Sequence, residues 1–535
     1  MPEVVDVDVV VIGTGFAGIY ALHKLRDGLG LNVQSFEEAQ GVGGTWFWNT
    51  YPGARSDTEV NAYCYLSDKE LFKEWKWSER YPRQKEILAY LNHCADRWDL
   101  RRSIQFDTGV DKTIFNEGTG RWEITTSKGN RFTAQFLVEG VGLLSSTNYP
   151  DFPGTNSFKG EIYHTARWPQ SEVDVSGKRV GVIGTGSSGT QVITEMAKTA
   201  GELYVFQRTP QYCVPANHGP LDPDKMSLIF SDFDGYRDSV LSSVTSFGFE
   251  ESPVPAMSVS AEERERVFED SWNKGNGFRF MFASFSDIGV DPDANKAATD
   301  FLKKKLAETV KDPETLKKLT PTDLWAKRPL CNDGYFETFN QDNVTLVDVK
   351  EDPIIELTEK GIRTENSEYE LDVIVLATGF DAVSGMYLKI DQTGRGGVTL
   401  QQKWADRPHA TYGMMAAGFP NMFMIYGPMG PFTNQPPVHE WQVDWIADVI
   451  QHVRENGYQS VEPTKVVEEK WMEDCDEIAY ATLFMKVNSW INGSNVVGKP
   501  VTNYFYMGGM GAYGELVGGV RNEGYPGFEF DPALN

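Results

Sequence analysis

Two glycine-rich hexapeptides, Gly13-Thr14-Gly15-Phe16-Ala17-Gly18 and Gly184-Thr185-Gly186-Ser187-Ser188-Gly189, share the spacing GxGxxG. In that spacing the first glycines allow a tight turn and bring backbone amides against a pyrophosphate. The third lets a helix pack closely on a strand. A third glycine loop, Gly41-Val42-Gly43-Gly44-Thr45-Trp46, follows the first hexapeptide, and Arg55 and Asp57 are the charged residues of the aromatic stretch after it. Between the two hexapeptides, Phe158 to Pro169 sets Phe158, Gly160, His164, Trp168 and Pro169 at fixed offsets. Lys327 and Arg328 form a cationic pair far downstream. These residues provide two phosphate cradles with separate charged groups, the equipment for chemistry on two dinucleotides.

The flanking elements support that reading. Asp6–Ile12 is a β-branched run suited to a buried parallel strand. It leads into Gly13, and a helix is expected over Ile19–Arg26. The next strand, Asn32–Phe36, ends in Glu37, whose carboxylate suits ribose hydroxyls and repels a 2′-phosphate. In the second unit, strand Lys178–Ile183 and helix Thr190–Lys198 frame Gly184, and strand Glu202–Phe206 ends in Gln207-Arg208-Thr209. An amide replaces the acid, and a guanidinium fork suited to a 2′-phosphate stands beside it. The first site therefore reads as FAD and the second as NADP(H).

The pattern predicts an α/β protein with two Rossmann-like dinucleotide-binding domains, one for FAD and one for NADP, and a helical insertion. Strand Arg131–Val141 is followed by a boundary at Pro150, Pro153 and Gly154. From Pro220 to Lys327 the nucleotide-fold pattern stops, and charge-rich helices are expected at Ala261–Trp272 and Asp293–Lys311. Phe247, Phe249, Phe278, Phe280 and Phe282 are pocket candidates there, with core packing expected for most. A strand at Leu371–Ala377 closes the NADP unit, and Asn421–Tyr426 with helix Val438–Asn456 returns to the FAD unit. The division is FAD domain, first part, 1–145; linker 146–176; NADP domain, first part, 177–220; insertion 221–326; NADP domain, second part, 327–385; FAD domain, second part, 386–535.

Composition narrows the class. The 535 residues exceed one core and carry 40% hydrophobic and 13% aromatic residues, the profile of a folded enzyme. A formal charge of −26 argues against nucleic acid and anionic membranes as partners. The five cysteines are scattered without a CxxC pair, so neither a disulfide framework nor a metal site is expected. With no 18-residue apolar run, the chain reads as cytoplasmic, without stable membrane insertion.

Phe158 to Pro169 matches FxGxxxHxxxW followed by Pro or Asp, and with both hexapeptides the chain resembles the type I Baeyer–Villiger monooxygenases over nearly its whole length. Further matching blocks are Gly-Gly-Thr-Trp at Gly43, Pro255-Ala256-Met257-Ser258-Val259-Ser260, Ala326 to Cys331 and Gly430-Pro431-Phe432-Thr433-Asn434. The resemblance implies an enzyme that uses FAD, NADPH and O₂ to convert a small-molecule ketone, cyclic ketones such as cyclohexanone included, to a lactone or ester. It implies passage through a C4a-peroxyflavin and a tetrahedral adduct. By the same resemblance Arg328 is the active-site cation and Asp57 its partner. Gly13, Gly15, Phe16, Gly18, Glu37, Gly44, Thr45, Trp46, Asp57 and Tyr63 are the FAD-site positions. Gly184, Thr185, Gly186, Ser187, Ser188, Gln191, Arg208, Thr209, Lys327, Arg328 and Trp490 are the NADP-site positions. Leu143, Phe432, Thr433, Gln435 and Phe505 are substrate-pocket positions, and His164 takes a linker role.

Four residues depart from the family's usual pattern: Met429, Gln435, Asn492 and Glu139. Met429 and Gln435 are expected to change the polarity of a loop beside flavin and substrate. The alternatives are a flavin monooxygenase that oxygenates sulfur or nitrogen, and a sensor that binds FAD and NADP without catalysis. Exchanging Gln207 for Glu together with Arg208 for Ala is expected to weaken NADPH far more than NADH, an outcome that paired cofactor titrations would read.

Overall fold

The computed structural model describes residues 4–532; residues 1–3 and 533–535, the outer ends of the two FAD-domain ranges, lie outside the described residues. Strand Val4–Ile12 lies at the centre of an eight-stranded mixed sheet. It pairs in parallel with Val33–Phe36 on one side and Arg131–Glu139 on the other. Met422–Met424, from late in the chain, adds in parallel beside Arg131–Glu139. A strand from the start of the chain and one from its last quarter therefore share one sheet. Val9, Val10, Val11, Phe136, Leu137 and Val138 are fully buried, as strands covered on both faces require.

A second, wholly parallel sheet runs in the order Val344–Asp348, Glu202–Gln207, Arg179–Ile183, Val373–Leu376, Glu161–His164. Its edge strand is a finding the pattern did not give, because Glu161–His164 was expected to be part of a connector. These four fingerprint residues instead extend this second sheet, in register from Val373 opposite Glu161 to Leu376 opposite His164. The reason is steric and local. Gly160 leads into the strand where a Cβ would come 2.4 Å from the Asp372 carbonyl oxygen, so this edge closes only on glycine.

Between the halves of this second unit lie six helices: Pro223–Ser231, Phe233–Ser242, Ala261–Lys274, Gly277–Ala283, Pro292–Thr309 and Pro313–Leu319. Their base is closed by a two-residue parallel pairing of Cys213–Val214 with Leu330–Cys331. The late helix spans Gln435–Glu455, three residues earlier than periodicity indicated, because Pro436 and Pro437 occupy its first turn, where no intrahelical N–H is needed.

Glu139 breaks the apolar run at the end of its strand. It is fully buried, neither carboxyl oxygen has a hydrogen-bond partner, and the neighbouring Gln392 Oε1 is also unpartnered. Burial pushes its pKa up to about 8, against the opposing pull of the Gln392 side chain, so the acid is protonated at neutral pH. A carboxyl whose folded pKa is raised contributes most below its unfolded value, near 4.3. That contribution is lost as pH rises through about 8. Glu139→Gln is expected to raise the melting temperature, with an advantage that grows from pH 5 to pH 8. Thermal melts of both proteins across that range check it; a constant difference would sink the assignment.

Candidate active site

One cavity of about 1410 Å³ connects the two glycine hexapeptides. It exceeds the roughly 300–1,000 Å³ of a single-ligand pocket and has room for two dinucleotides. Helix Phe16–His23 starts from Gly15 and helix Ser187–Met196 from Gly186, and neither start is capped by a side chain. Their first amides are therefore free for an anion. A Cβ at Gly186 would meet nothing within 4 Å, which leaves the space before that helix open. At the first site Gly44 holds φ +52 and a Cβ there would come 2.9 Å from the Gly15 Cα, so the two glycine loops pack backbone to backbone. These features fit a pyrophosphate at each hexapeptide.

Glu37 borders the cavity and is held from behind: Oε2 accepts from the Thr14 amide and hydroxyl and Oε1 from the Ala39 amide, each at 2.8 Å. Burial raises its pKa, and these donors oppose that shift. On the second site Arg208 is exposed at the cavity beside Thr209, while Lys327 reaches the same wall and pairs with Asp323 at 2.8 Å. Gln207 differs from the expectation. It is fully buried, and its amide donates to the Lys318 carbonyl oxygen at 2.8 Å, away from the cavity. The strand alternates faces, so Gln207 and Arg208 cannot both meet one ribose.

Where the cradles converge, Arg328 and Asp57 form a bidentate pair, Nη1 to Oδ2 at 2.5 Å and Nη2 to Oδ1 at 2.7 Å. Nη1 also donates to Ser187 Oγ at 3.1 Å, which ties the cation to the second cradle. The guanidinium lies 5.0 Å from the centroid of Phe278. Burial works against the charge, but the Asp57 carboxylate outweighs it and raises the Arg328 pKa. Alongside, the Trp46 indole donates to Tyr63 Oη at 3.1 Å, and Phe16 meets Tyr63 edge-on at 5.4 Å. Tyr51 donates to Gln191 Oε1 at 2.8 Å, linking the first unit's loop to the second unit's helix.

The fingerprint residues stand behind the cavity, with Ala166 and Arg167 on its wall. His164 Nδ1 accepts from the Ala166 amide at 3.0 Å, which places the ring proton on Nε2, 3.2 Å from Thr378 Oγ1. Thr378 donates onward to the Asn148 carbonyl oxygen at 2.7 Å. Burial lowers the His164 pKa to about 4, so the ring stays neutral in this chain of bonds. Trp168 is buried against Tyr163, Phe158 packs in the NADP unit's core, and the Pro169 carbonyl oxygen accepts from Thr50.

Leu143, Phe432, Thr433 and Gln435 lie on the cavity wall. Phe505 does not; it is buried behind Phe432 and Trp490, at 5.2 and 6.0 Å between ring centroids. Met429 is also off the wall: it is fully buried at φ +64, so of the two loop departures Gln435 alone reaches the cavity. Core packing holds for Phe247, Phe278 and Phe280, all buried, while Phe247 and Phe278 also border the cavity and the half-buried Phe282 lines it. Asn492 is 2% exposed and organises the turn that carries Trp490: its amide donates to the Val487 carbonyl and its oxygen accepts from Ser489, Ser494 and the Ser494 hydroxyl.

Tyr51, Arg167 and His439 also line the cavity without having been singled out in the sequence. Arg167 stacks on Trp48 at 4.3 Å, a cation inside the fingerprint that its charge could have flagged. His439 falls on the inward stripe with Val443, Ile446 and Ile450, a polar residue where the helical period calls for an apolar one.

Known proteins agree with this architecture. The flavin-binding monooxygenase-like family matches residues 6–229. The fold and its paired cradles thus define a two-dinucleotide flavoprotein monooxygenase that binds FAD and NADP. A Baeyer–Villiger monooxygenase of Pseudooceanicola batsensis is 54% identical over 521 residues, covering 97% of this chain and 95% of that protein. The crystal structure of cyclohexanone monooxygenase from Rhodococcus sp. Phi1 bound to NADP+ superposes with a TM-score of 0.98 at 50% identity, covering 99% and 100% of the two chains. A phenazine N-monooxygenase of Lysobacter antibioticus is 50% identical over 522 residues, 97% of this chain and 96% of that protein. The chain belongs to the Baeyer–Villiger monooxygenases.

Because Gln207 is buried, Arg208→Ala alone is the clean probe of the second cradle. Losing one charge-assisted bond of about 1.5–3 kcal/mol is expected to raise the NADPH dissociation constant by about 10- to 150-fold and leave NADH nearly unchanged. Parallel titrations of both cofactors measure this, and equal losses would remove the 2′-phosphate assignment.

Proposed function

We propose that this protein oxygenates ketones, cyclic ketones such as cyclohexanone among them, to lactones or esters at the expense of NADPH and O₂. The observation that carries the reading is the Arg328–Asp57 pair on the cavity where the two cradles meet. When bound, NADPH supplies reducing equivalents and the flavin activates oxygen. Arg328 offers a permanent cation to negative charge developing on oxygen at the substrate carbonyl. Asp57 orients the guanidinium fork, and Phe278 and Ser187 hold its other sides. We assign the first cradle, with Glu37, Trp46 and Tyr63, to FAD and the second, with Arg208, Thr209, Lys327 and Trp490, to NADP(H). The substrate wall is Leu143, Phe432, Thr433 and Gln435, joined by Phe247 and Phe282. Its apolar faces exclude water while Gln435 gives one polar contact.

The domain boundaries stated from the sequence suit this reading, with Glu161–His164 reassigned to the NADP unit. Five buried free thiols suit the reducing cytoplasm, and the −26 charge suits small-molecule rather than nucleic-acid partners. A second reading, oxygenation at nitrogen in a flat heteroaromatic ring, draws on the relative that carries that activity in its name. The stacked Phe247 and Phe278, 4.2 Å between centroids, offer a planar face for such a ring.

Arg328→Ala is expected to permit flavin reduction by NADPH yet lower ester formation by about 10²–10³ or more. Stopped-flow absorbance and product chromatography separate the two steps, and normal ester yield would strip Arg328 of this role. Supplied with NADPH and O₂, cyclohexanone is expected to give lactone and phenazine little N-oxide. NADPH loss that yields only hydrogen peroxide with the ketone, beside N-oxide from phenazine, would favour the second reading.

A further inference from the structure

His439 sits in the second turn of the Gln435–Glu455 helix and borders the cavity beside Tyr426 and the Phe432–Pro436 segment. The residue is 7% exposed, and its Nδ1 is sealed from solvent with no hydrogen-bond partner. Its nearest aromatic neighbour is the Tyr426 ring, met edge-on at 5.7 Å between centroids. The following Glu440 is turned away, with both oxygens accepting from Leu66 and Ser67. Burial alone pulls the His439 pKa down to about 3, with no charged group acting on it, so the ring is neutral.

A neutral imidazole carries one N–H and one lone pair. Leaving an N–H orphaned in the interior is rarer and costlier than leaving an acceptor under-used, so the lone pair belongs on the sealed Nδ1 and the proton on Nε2. The helix that carries His439 packs against Phe16–His23, the helix whose start forms the first cradle. The ring shares the cavity wall with Tyr426 and Phe432, on the helix that packs against the helix of the first cradle.

We propose that His439 Nε2 donates a hydrogen bond to an oxygen acceptor in the flavin half of bound FAD, a ring carbonyl or a ribityl hydroxyl. It is a positioning residue for the cofactor, acting as an uncharged donor. The inference rests on the first cradle taking FAD, and binding of FAD by the wild-type apoprotein tests that premise separately.

The test compares wild type, His439→Gln and His439→Leu as full-length apoproteins titrated with FAD, by flavin fluorescence and visible absorption. His439→Leu is expected to bind FAD about five- to tenfold more weakly, the size of one neutral hydrogen bond, while His439→Gln, which retains a donor amide, recovers most of the loss. A displaced flavin absorption band in His439→Leu would place the acceptor on the ring, and weaker affinity with an unmoved band would place it on the ribityl chain. FAD affinity in His439→Leu equal to wild type overturns the proposal. So does equal weakening in both variants, or a fall in the apoprotein melting temperature that accounts for the loss, because either outcome makes the role one of packing. Affinity in the wild type is expected to stay flat from pH 5 to pH 9, since the ring does not charge in that range; a step near pH 6.5 would also overturn it.

Discussion

The structure turns on one half-buried charge, the Arg328 guanidinium. A cation in a water-poor cavity is costly unless its donors are matched, and here two go to Asp57 and one is shared with Ser187. Asp57 belongs to the first dinucleotide unit, Ser187 opens the helix of the second, and Arg328 arrives at the end of the helical insertion. Three parts of the chain must close correctly to satisfy this one group. The pairing at the foot of the insertion, Cys213–Val214 with Leu330–Cys331, brings Arg328 back to the cavity at the required point.

A second constraint governs how the two units are joined. The fingerprint strand Glu161–His164 is an edge of the NADP sheet, and His164 at its end reaches Thr378, which reaches Asn148. Asn148 lies on the chain's way out of the FAD unit, and Thr378 just past the strand that closes the NADP sheet. A single neutral histidine thus staples the outgoing and returning connections, and its depressed pKa keeps the staple uncharged at neutral pH. Tyr51 with Gln191 makes a parallel tie on the cavity side. These ties and the Arg328–Asp57 pair together join the two units.

Much of the fold was legible because its signals are local. Val9 to Ile12 and Gly13 to Gly18 declare a strand, a turn and a helix within one short stretch, and the same holds for Val180 to Gly189. The ends of elements were less legible: Pro436 and Pro437 start a helix rather than precede one, and the Glu161–His164 strand carries too little β-branched sequence to announce itself. The pairing of Arg328 with Asp57 became legible through resemblance alone, since 271 residues separate them.

By itself the sequence determined the two phosphate cradles, the acid in one and the arginine in the other, and the family that combines them. Each depends on backbone conformation or charge type within a few residues, which local sequence sets. Only the tertiary structure decided which side chains face the shared cavity. Gln207 and Met429 turn inward to the core, Phe505 stands behind the wall, and Phe247, Phe278 and His439 come onto it. The physical reason is that facing depends on strand parity, helix phase and the packing of remote segments. A one-residue change in phase exchanges core for cavity without altering any motif.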